Sequence, residues 1–235
     1  MTSWALLAGL IAAYAWYLRG GGVPPETGRI ARYRRWMRRA PLAFGASALA
    51  ALALSGRLDT LIALPAEFAP LAATARHLAG FGGIAFELAV LAGLGGGALL
   101  GLLLARWRIG RGRRPFSAGN IDRILPRSGV EFGWTALLGI AAGIVEELFF
   151  RLALPLFATL ATGSASLGFA LATLLFAGAH RYQGWAGMAF SGVAGALLAT
   201  LYLATGELWF AMLVHVLLNL NGLVLRPAMS RPRID

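Results

Sequence analysis

Three short patterns in the second half of the chain carry the residues best suited to chemistry: Glu146-Glu147-x-x-x-Arg151, Phe176-x-x-x-His180 and His215-x-x-x-Asn219. Glu147 and Arg151 stand four apart with the acid nearer the N-terminus, the favourable order for an ion pair along a helix. Glu146 points about 100° away on the same helix and has no local partner. Phe176 with His180, and His215 with Asn219, each share one helical face. A carboxylate shielded by apolar surroundings can take a proton from water and return it to a leaving amine. Imidazole can share that proton or bind a metal, and an Asn amide with a His N–H can hold a developing oxyanion. Glu146, His180, His215 and Asn219 are therefore the parts for hydrolysis of an amide. Each also has a plainer reading. Glu147 with Arg151 reads first as a structural pair that fixes geometry, Phe176 as core or site wall, and Asn219 as an interhelical hydrogen bond. Glu146 has the poorest plain reading, because a charge near a bilayer centre costs about 2.5–3.5 kcal/mol. The third histidine, His77, stands beside Arg76 and is given no role.

That cost applies because the whole chain reads as a membrane protein. Of its 235 residues 58% are hydrophobic and 13% charged, against about 25% charged in soluble domains. All 21 basic residues are Arg and the formal net charge is +11. The arginines cluster in short loops between apolar runs, which fits the excess of basic residues on cytoplasmic loops and argues against a nucleic-acid partner. With no Cys, a disulfide framework, a thiolate metal site and a Cys nucleophile are excluded.

The elements that must position the site follow from the apolar runs. Residues 2–18 read as a retained first span rather than a signal peptide, since no basic residue precedes the run and Leu18-Arg19-Gly20 offers no small-residue cleavage site. An Arg-rich segment from Arg19 to Arg39 follows, then a second span from Pro41 to about Ser55. Leu61 to Pro70 is too short to cross and is broken by Pro65 and Glu67, so residues 58–72 are expected to form a re-entrant or interfacial piece, or an extra helix. Further spans are expected at Phe81–Ala105, Trp134–Leu160, Leu167–His180, Trp185–Ala204 and Leu208–Leu225. A second Arg-rich loop, Arg106 to Arg127, and a tail with Arg226, Arg231 and Arg233 complete the chain. Placing both loops and the tail in the cytoplasm gives an all-α polytopic bundle of seven to eight transmembrane helices with the N-terminus outside. Gly93, Gly97 and Gly101, and again Gly187, Ser191 and Gly195, fall at four-residue intervals, and both ladders are expected to pack closely on a partner helix. The chain divides into N-terminal helices with Arg-rich loops (1–129), a core bearing the three patterns (130–226) and a tail (227–235).

The three patterns together resemble the motifs of the CPBP family, the CAAX-protease and bacteriocin-processing enzymes also called Abi, over roughly residues 130 to 226. The resemblance implies an intramembrane endopeptidase with a site open to the cytoplasm. In family terms Glu146 and His180 activate the hydrolytic water, His215 and Asn219 support the oxyanion or the site geometry, and Glu147 and Arg151 brace the motif. Metal-free water activation is favoured over zinc, because the chain lacks the HExxH arrangement; zinc, if bound, would draw on Glu146, His180 and His215. Cooperation of Glu146 with His180 requires Arg181, Tyr182 and Gln183 to lie below the membrane surface in a wet cavity opening inward. The implied substrate is a membrane-associated or precursor peptide, the setting a prokaryotic plasma membrane, and the Arg-rich rim a surface for anionic lipid. Two rival readings are a non-catalytic binding or immunity protein of the same fold and a proton-coupled transporter, the latter without support from an inverted repeat. Oligomeric state is left open.

Overall fold

The computed structural model describes residues 2–20, 28–80, 82–113, 119–122 and 124–229. Among them there are eleven α-helical segments and no strand: α1 (Ser3–Arg19), α2 (Arg29–Ala40), α3 (Ser47–Leu54), α4 (Ala69–Ala79), α5 (Gly83–Ile109), α6 (Gly129–Glu147), α7 (Leu154–Thr162), α8 (Ala165–Ala179), α9 (Gly184–Thr205), α10 (Leu208–Leu220) and α11 (Arg226–Met229). Wide π-helical turns join three pairs of these into continuous rods, at Pro41–Ala46 between α2 and α3, Leu148–Ala153 between α6 and α7, and Asn221–Leu225 between α10 and α11. Two of the wide turns run just ahead of Pro155 and Pro227. A proline lacks the N–H and crowds the carbonyl four residues back, and widening the preceding turn lets the rod continue through it.

The apolar runs have become helices close to the expected bounds, with one correction at Pro41. The Arg-rich segment before Pro41 is helical from Arg29 onward, so Pro41 lies inside a rod and does not begin one. Residues 58–72 form short 3-10 turns at Leu58–Leu61 and Ala66–Phe68 that lead into α4, a helix resting on α9. Three helices are long and apolar enough to cross a membrane, Gly83–Ile109, Arg181–Thr205 and Leu208–Met229. The other apolar helices are shorter, α1 with 17 residues and α8 with 15. The arginines at 114, 123, 231 and 233 lie outside the described residues.

The core explains this arrangement. Phe44, Phe149, Phe150, Phe157 and Phe68 are fully buried, and Phe44 meets both Phe149 and Phe150 at ring distances of 5.0 and 5.1 Å. Around it α1 lies on α7, α7 on α8, α8 on α9, and α6 on α10. Gly143 allows the last contact: a Cβ there would stand 2.8 Å from the backbone N of Val216. Gly195 does the same for α9 and α8, with Phe176 Cδ1 2.9 Å from the position of a Cβ. The α9 ladder is thus filled as expected, and Gly187, Ser191 and Gly195 are all buried. The α5 ladder is not. Among the described residues no atom lies within 4 Å of a Cβ at Gly93, Gly97 or Gly101; α5 meets the bundle through Phe86, Val90 and Leu91, which pack on Phe210 and Val214 of α10 and Leu198 and Leu201 of α9.

Candidate active site

The glutamate pair closes α6 immediately before the wide turn, which carries Arg151 back over Glu147. Arg151 Nε stands 3.1 Å from Glu147 Oε2, and both side chains are fully buried. On its other oxygen, Glu147 Oε1 accepts a 2.7 Å hydrogen bond from His215 Nδ1. Through that bond Glu147 links α6 to α10, while among the described residues Arg151 Nη2 is buried without a hydrogen-bond partner. The guanidinium of Arg151 also lies over the Phe176 ring, 4.4 Å from its centroid, a cation–π contact strengthened by burial.

Glu146 points about 100° further round α6. Its Oε2 is 4.0 Å from His215 Nε2, so one imidazole is oriented by Glu147 through Nδ1 and faces Glu146 through Nε2. His180 ends α8, and its Nδ1 lies 2.8 Å from the carbonyl oxygen of Phe176. A carbonyl can only accept, so the hydrogen is on Nδ1 and Nε2 carries a lone pair. Phe176 stands between the two histidines, with ring centroids 4.7 Å from His180 and 5.9 Å from His215. After His180, the turn Arg181–Gln183 is held from two sides: Arg181 Nη2 donates to Leu18 O at 2.6 Å, and Asn120 N donates to Gln183 O at 2.9 Å.

The structure therefore gathers Glu146, Glu147, Arg151, Phe176, His180 and His215. Asn219 is one turn further along α10, where its Nδ2 donates one hydrogen bond to Gly139 O at 3.1 Å and keeps a second N–H. Glu146, His180 and His215 do not fit a zinc ion as they stand, since among the described residues no three His, Asp or Glu side chains form a metal-holding group. His77, on α4, is remote from the patterns in sequence and its helix packs on α9. The link between Glu147 and His215 was not legible from spacing, because 68 residues separate them. Two tyrosines near the site were also missed: Tyr182, whose ring lies 6.0 Å from that of His180, and Tyr17, whose ring packs on Phe44 at 4.6 Å. Tyrosines are common wherever a helix meets the membrane surface, so nothing in their sequence context marks them.

The arrangement can hold a water between a carboxylate and imidazole lone pairs, with the imidazoles fixed by a buried ion pair and a backbone carbonyl. Residues 128–221 match the family model for Rce1-like proteins, described as type II CAAX prenyl endopeptidase Rce1-like. That segment spans all three patterns and agrees with their resemblance to the CPBP enzymes. No curated protein and no solved structure matches the chain.

Proposed function

We propose, with the Rce1-like domain over residues 128–221 as premise, that the protein is an intramembrane endopeptidase in which Glu146 activates water against a peptide bond. The observation that carries this reading is the division of labour between adjacent glutamates: Glu147 is consumed by Arg151 and His215, while Glu146 faces His215 Nε2 with no arginine of its own. Water held by Glu146 and an imidazole Nε2 gives its proton to the carboxylate as its oxygen bonds to the carbonyl carbon. The carbonyl π pair moves onto oxygen, and collapse of the intermediate breaks the C–N bond while Glu146 returns the proton to the amine. Metal-free activation is favoured, and no step is assigned to a metal. His180 and His215 present the lone pairs that orient the water, and Asn219 holds α10 in register with α6.

In this reading the Arg-rich segments and the C-terminal tail lie in the cytoplasm, the N-terminus lies outside, the cavity beneath His180 opens inward, and the chain crosses a prokaryotic plasma membrane seven times. The substrate is a membrane-associated or precursor peptide, and anionic lipid collects around the exposed arginines of α2. The test is cleavage by the full chain in nanodiscs, offered a farnesylated CAAX peptide and a library of unmodified proteome-derived peptides. Cleavage that disappears with Glu146→Gln is the expected result; undiminished cleavage by that variant would overturn the proposal.

A further inference from the structure

The way α8 ends sets the ring of His180. The backbone N–H of His180 turns to Ala177 O at 3.0 Å, one residue short of the α-helical acceptor, so the last turn tightens and Phe176 O loses its helix donor. The ring supplies the missing hydrogen, with Nδ1 2.8 Å from Phe176 O. With that hydrogen committed, Nε2 keeps a lone pair. Which ring nitrogen carries the hydrogen is set by the bond the other nitrogen makes, so an imidazole released from Phe176 O can turn or change tautomer. The lone pair is only as well placed as the end of α8.

Helix α1 holds that end on both sides of the histidine. Before His180, the Tyr14 hydroxyl donates to Leu175 O at 2.9 Å. It enters over Gly178, where a Cβ would stand 2.7 Å from the hydroxyl oxygen, so any side chain there would push the hydroxyl away from Leu175 O. After His180, Arg181 Nη2 donates to Leu18 O at 2.6 Å, one of the last carbonyls of α1, which a helix leaves without backbone donors of its own. Tyr14 and Leu18 are four residues apart on one face of α1. The end of α1 is anchored in turn. The Tyr14 ring stands edge-on to Phe150 at 6.2 Å, and Arg39 and Arg35 of α2 donate to Trp16 O and Gly20 O.

We propose that Tyr14 and Arg181 are positioning residues for His180: by fastening both sides of the α8 terminus to α1, they keep the Nδ1 hydrogen on Phe176 O and the Nε2 lone pair where it orients the water. Neither residue touches the reacting atoms. Helix α1 lies outside the matched segment 128–221, so a helix that precedes the Rce1-like domain sets the geometry of one of that domain's histidines. The use made of the lone pair rests on the endopeptidase reading above; the hold on the ring does not.

The test uses the full chain in nanodiscs with the same farnesylated peptide and peptide library, together with nitrogen NMR of isotope-labelled histidine, in which protonated and bare ring nitrogens resonate far apart and His180→Gln assigns the signal. The unmodified chain should carry the His180 hydrogen on Nδ1. Arg181→Ala should lower kcat on the order of tenfold with KM unchanged, with Tm nearly so because the side chain is exposed, and with both tautomers of His180 in the spectrum. Arg181→Lys, which can still donate to a helix-end carbonyl, should restore most of the rate and the single tautomer. Tyr14→Phe should cost several-fold in kcat. Gly178→Ala should cost as much alone and nothing further when added to Tyr14→Phe, which has no hydroxyl to displace. Arg35→Ala removes the same kind of cap from Gly20 O, away from the turn after His180, and should leave kcat and the spectrum unchanged. A double variant, Arg181→Ala with Tyr14→Phe, that keeps kcat within twofold and a single Nδ1–H tautomer would overturn the assignment. So would an equal loss of kcat in Arg35→Ala, or a fall in kcat with the tautomer unmoved. Full cleavage by Glu146→Gln, or none by the unmodified chain, would instead remove the endopeptidase reading, and the spectra would still decide the hold on the ring.

Discussion

Helices α5 and α9 carry the same device and use it differently. Gly93, Gly97 and Gly101 repeat at four-residue intervals, as do Gly187, Ser191 and Gly195, yet the α9 ladder is buried and, among the described residues, the α5 ladder meets nothing within 4 Å of any of its glycines. Small residues permit close approach; they do not supply what approaches. At Gly195 of α9 the occupant is Phe176, a large ring with Arg151 over one face and contacts with both site histidines. On α5 the bundle is met by a different set, Phe86, Val90 and Leu91, and the glycines point elsewhere. A filled ladder here marks where the site needs a rigid wall.

The largest expected break in this comparison is at the residue that holds the wall from behind. Arg151→Ala would leave Glu147 buried without its cation, a change that costs about 3–5 kcal/mol, and would free one face of Phe176. A large drop in Tm together with loss of cleavage is the expected outcome. Retention of Tm within a degree or two would show that Glu147 is neutral in the fold. Next comes Gly143→Val, which acts on the neighbouring contact of α6 with α10. Its Cβ would meet backbone atoms of Val216, which cannot swing aside, so the helices must part. Overpacking of this kind costs about 1–3 kcal/mol, and the 2.7 Å bond between Glu147 and His215 should lengthen. Thermal unfolding and kcat should fall together. Gly195→Ala is milder, since the atom it meets belongs to a side chain, Phe176 Cδ1. About 1 kcal/mol of stability is expected to be lost, with a proportionally greater fall in kcat, because the ring it displaces separates His180 from His215.

The contrast between α5 and α9 also measures what the sequence could reveal. Helix bounds were legible where apolar runs are long: Leu208–Leu225 became α10 and its wide turn, and Trp185–Ala204 became α9 with a residue added at each end. Helix α4 was not legible, because its start is crowded by Pro65, Glu67 and Pro70 and an 11-residue helix shows little periodicity. The helix from Arg29 was hidden by reading Pro41 as a boundary; a proline usually ends a helix, but a wide turn absorbed it here. In the site, Glu147 with Arg151 could be read because both lie on one turn. The hold of Glu147 on His215, the contact of Asn219 with Gly139 and the pairing of Trp36 with Tyr17 each join separate helices. Spacing along one chain carries no information about which face of a distant helix will arrive.

A smaller effect is expected at Arg57 and Glu67, away from both ladders. Two hydrogen bonds, 2.8 and 2.7 Å, join them at the start of the segment leading to α4. The guanidinium of Arg57 holds the Glu67 carboxyl below its ordinary range. A lowered carboxylate value means the stabilisation is complete above the ordinary glutamate pKa and is lost as pH falls through the lower folded value. Both side chains are about a quarter exposed, so water and salt screen the pair and the contribution is less than about 1 kcal/mol. Glu67→Gln should lower Tm slightly at pH 7, and the difference from the unmodified chain should vanish in acid. A difference that persists in acid would assign the effect to packing.

The smallest expected effect sharpens the comparison most. Gly97→Ala on α5 is the same chemical change as Gly195→Ala on α9, with the same Cβ added and the same gain in helix propensity, up to about 1 kcal/mol in water. At Gly195 that gain is opposed by Phe176; at Gly97 nothing opposes it. Tm should therefore stay level or rise, and kcat should not move, so the difference between the two variants isolates the energy of contact with Phe176 from the intrinsic preference of the backbone. A loss of stability at Gly97 would mean that the α5 ladder has an occupant after all, and comparison of the variant at low and high protein-to-lipid ratio would tell whether that occupant is a second copy of the chain.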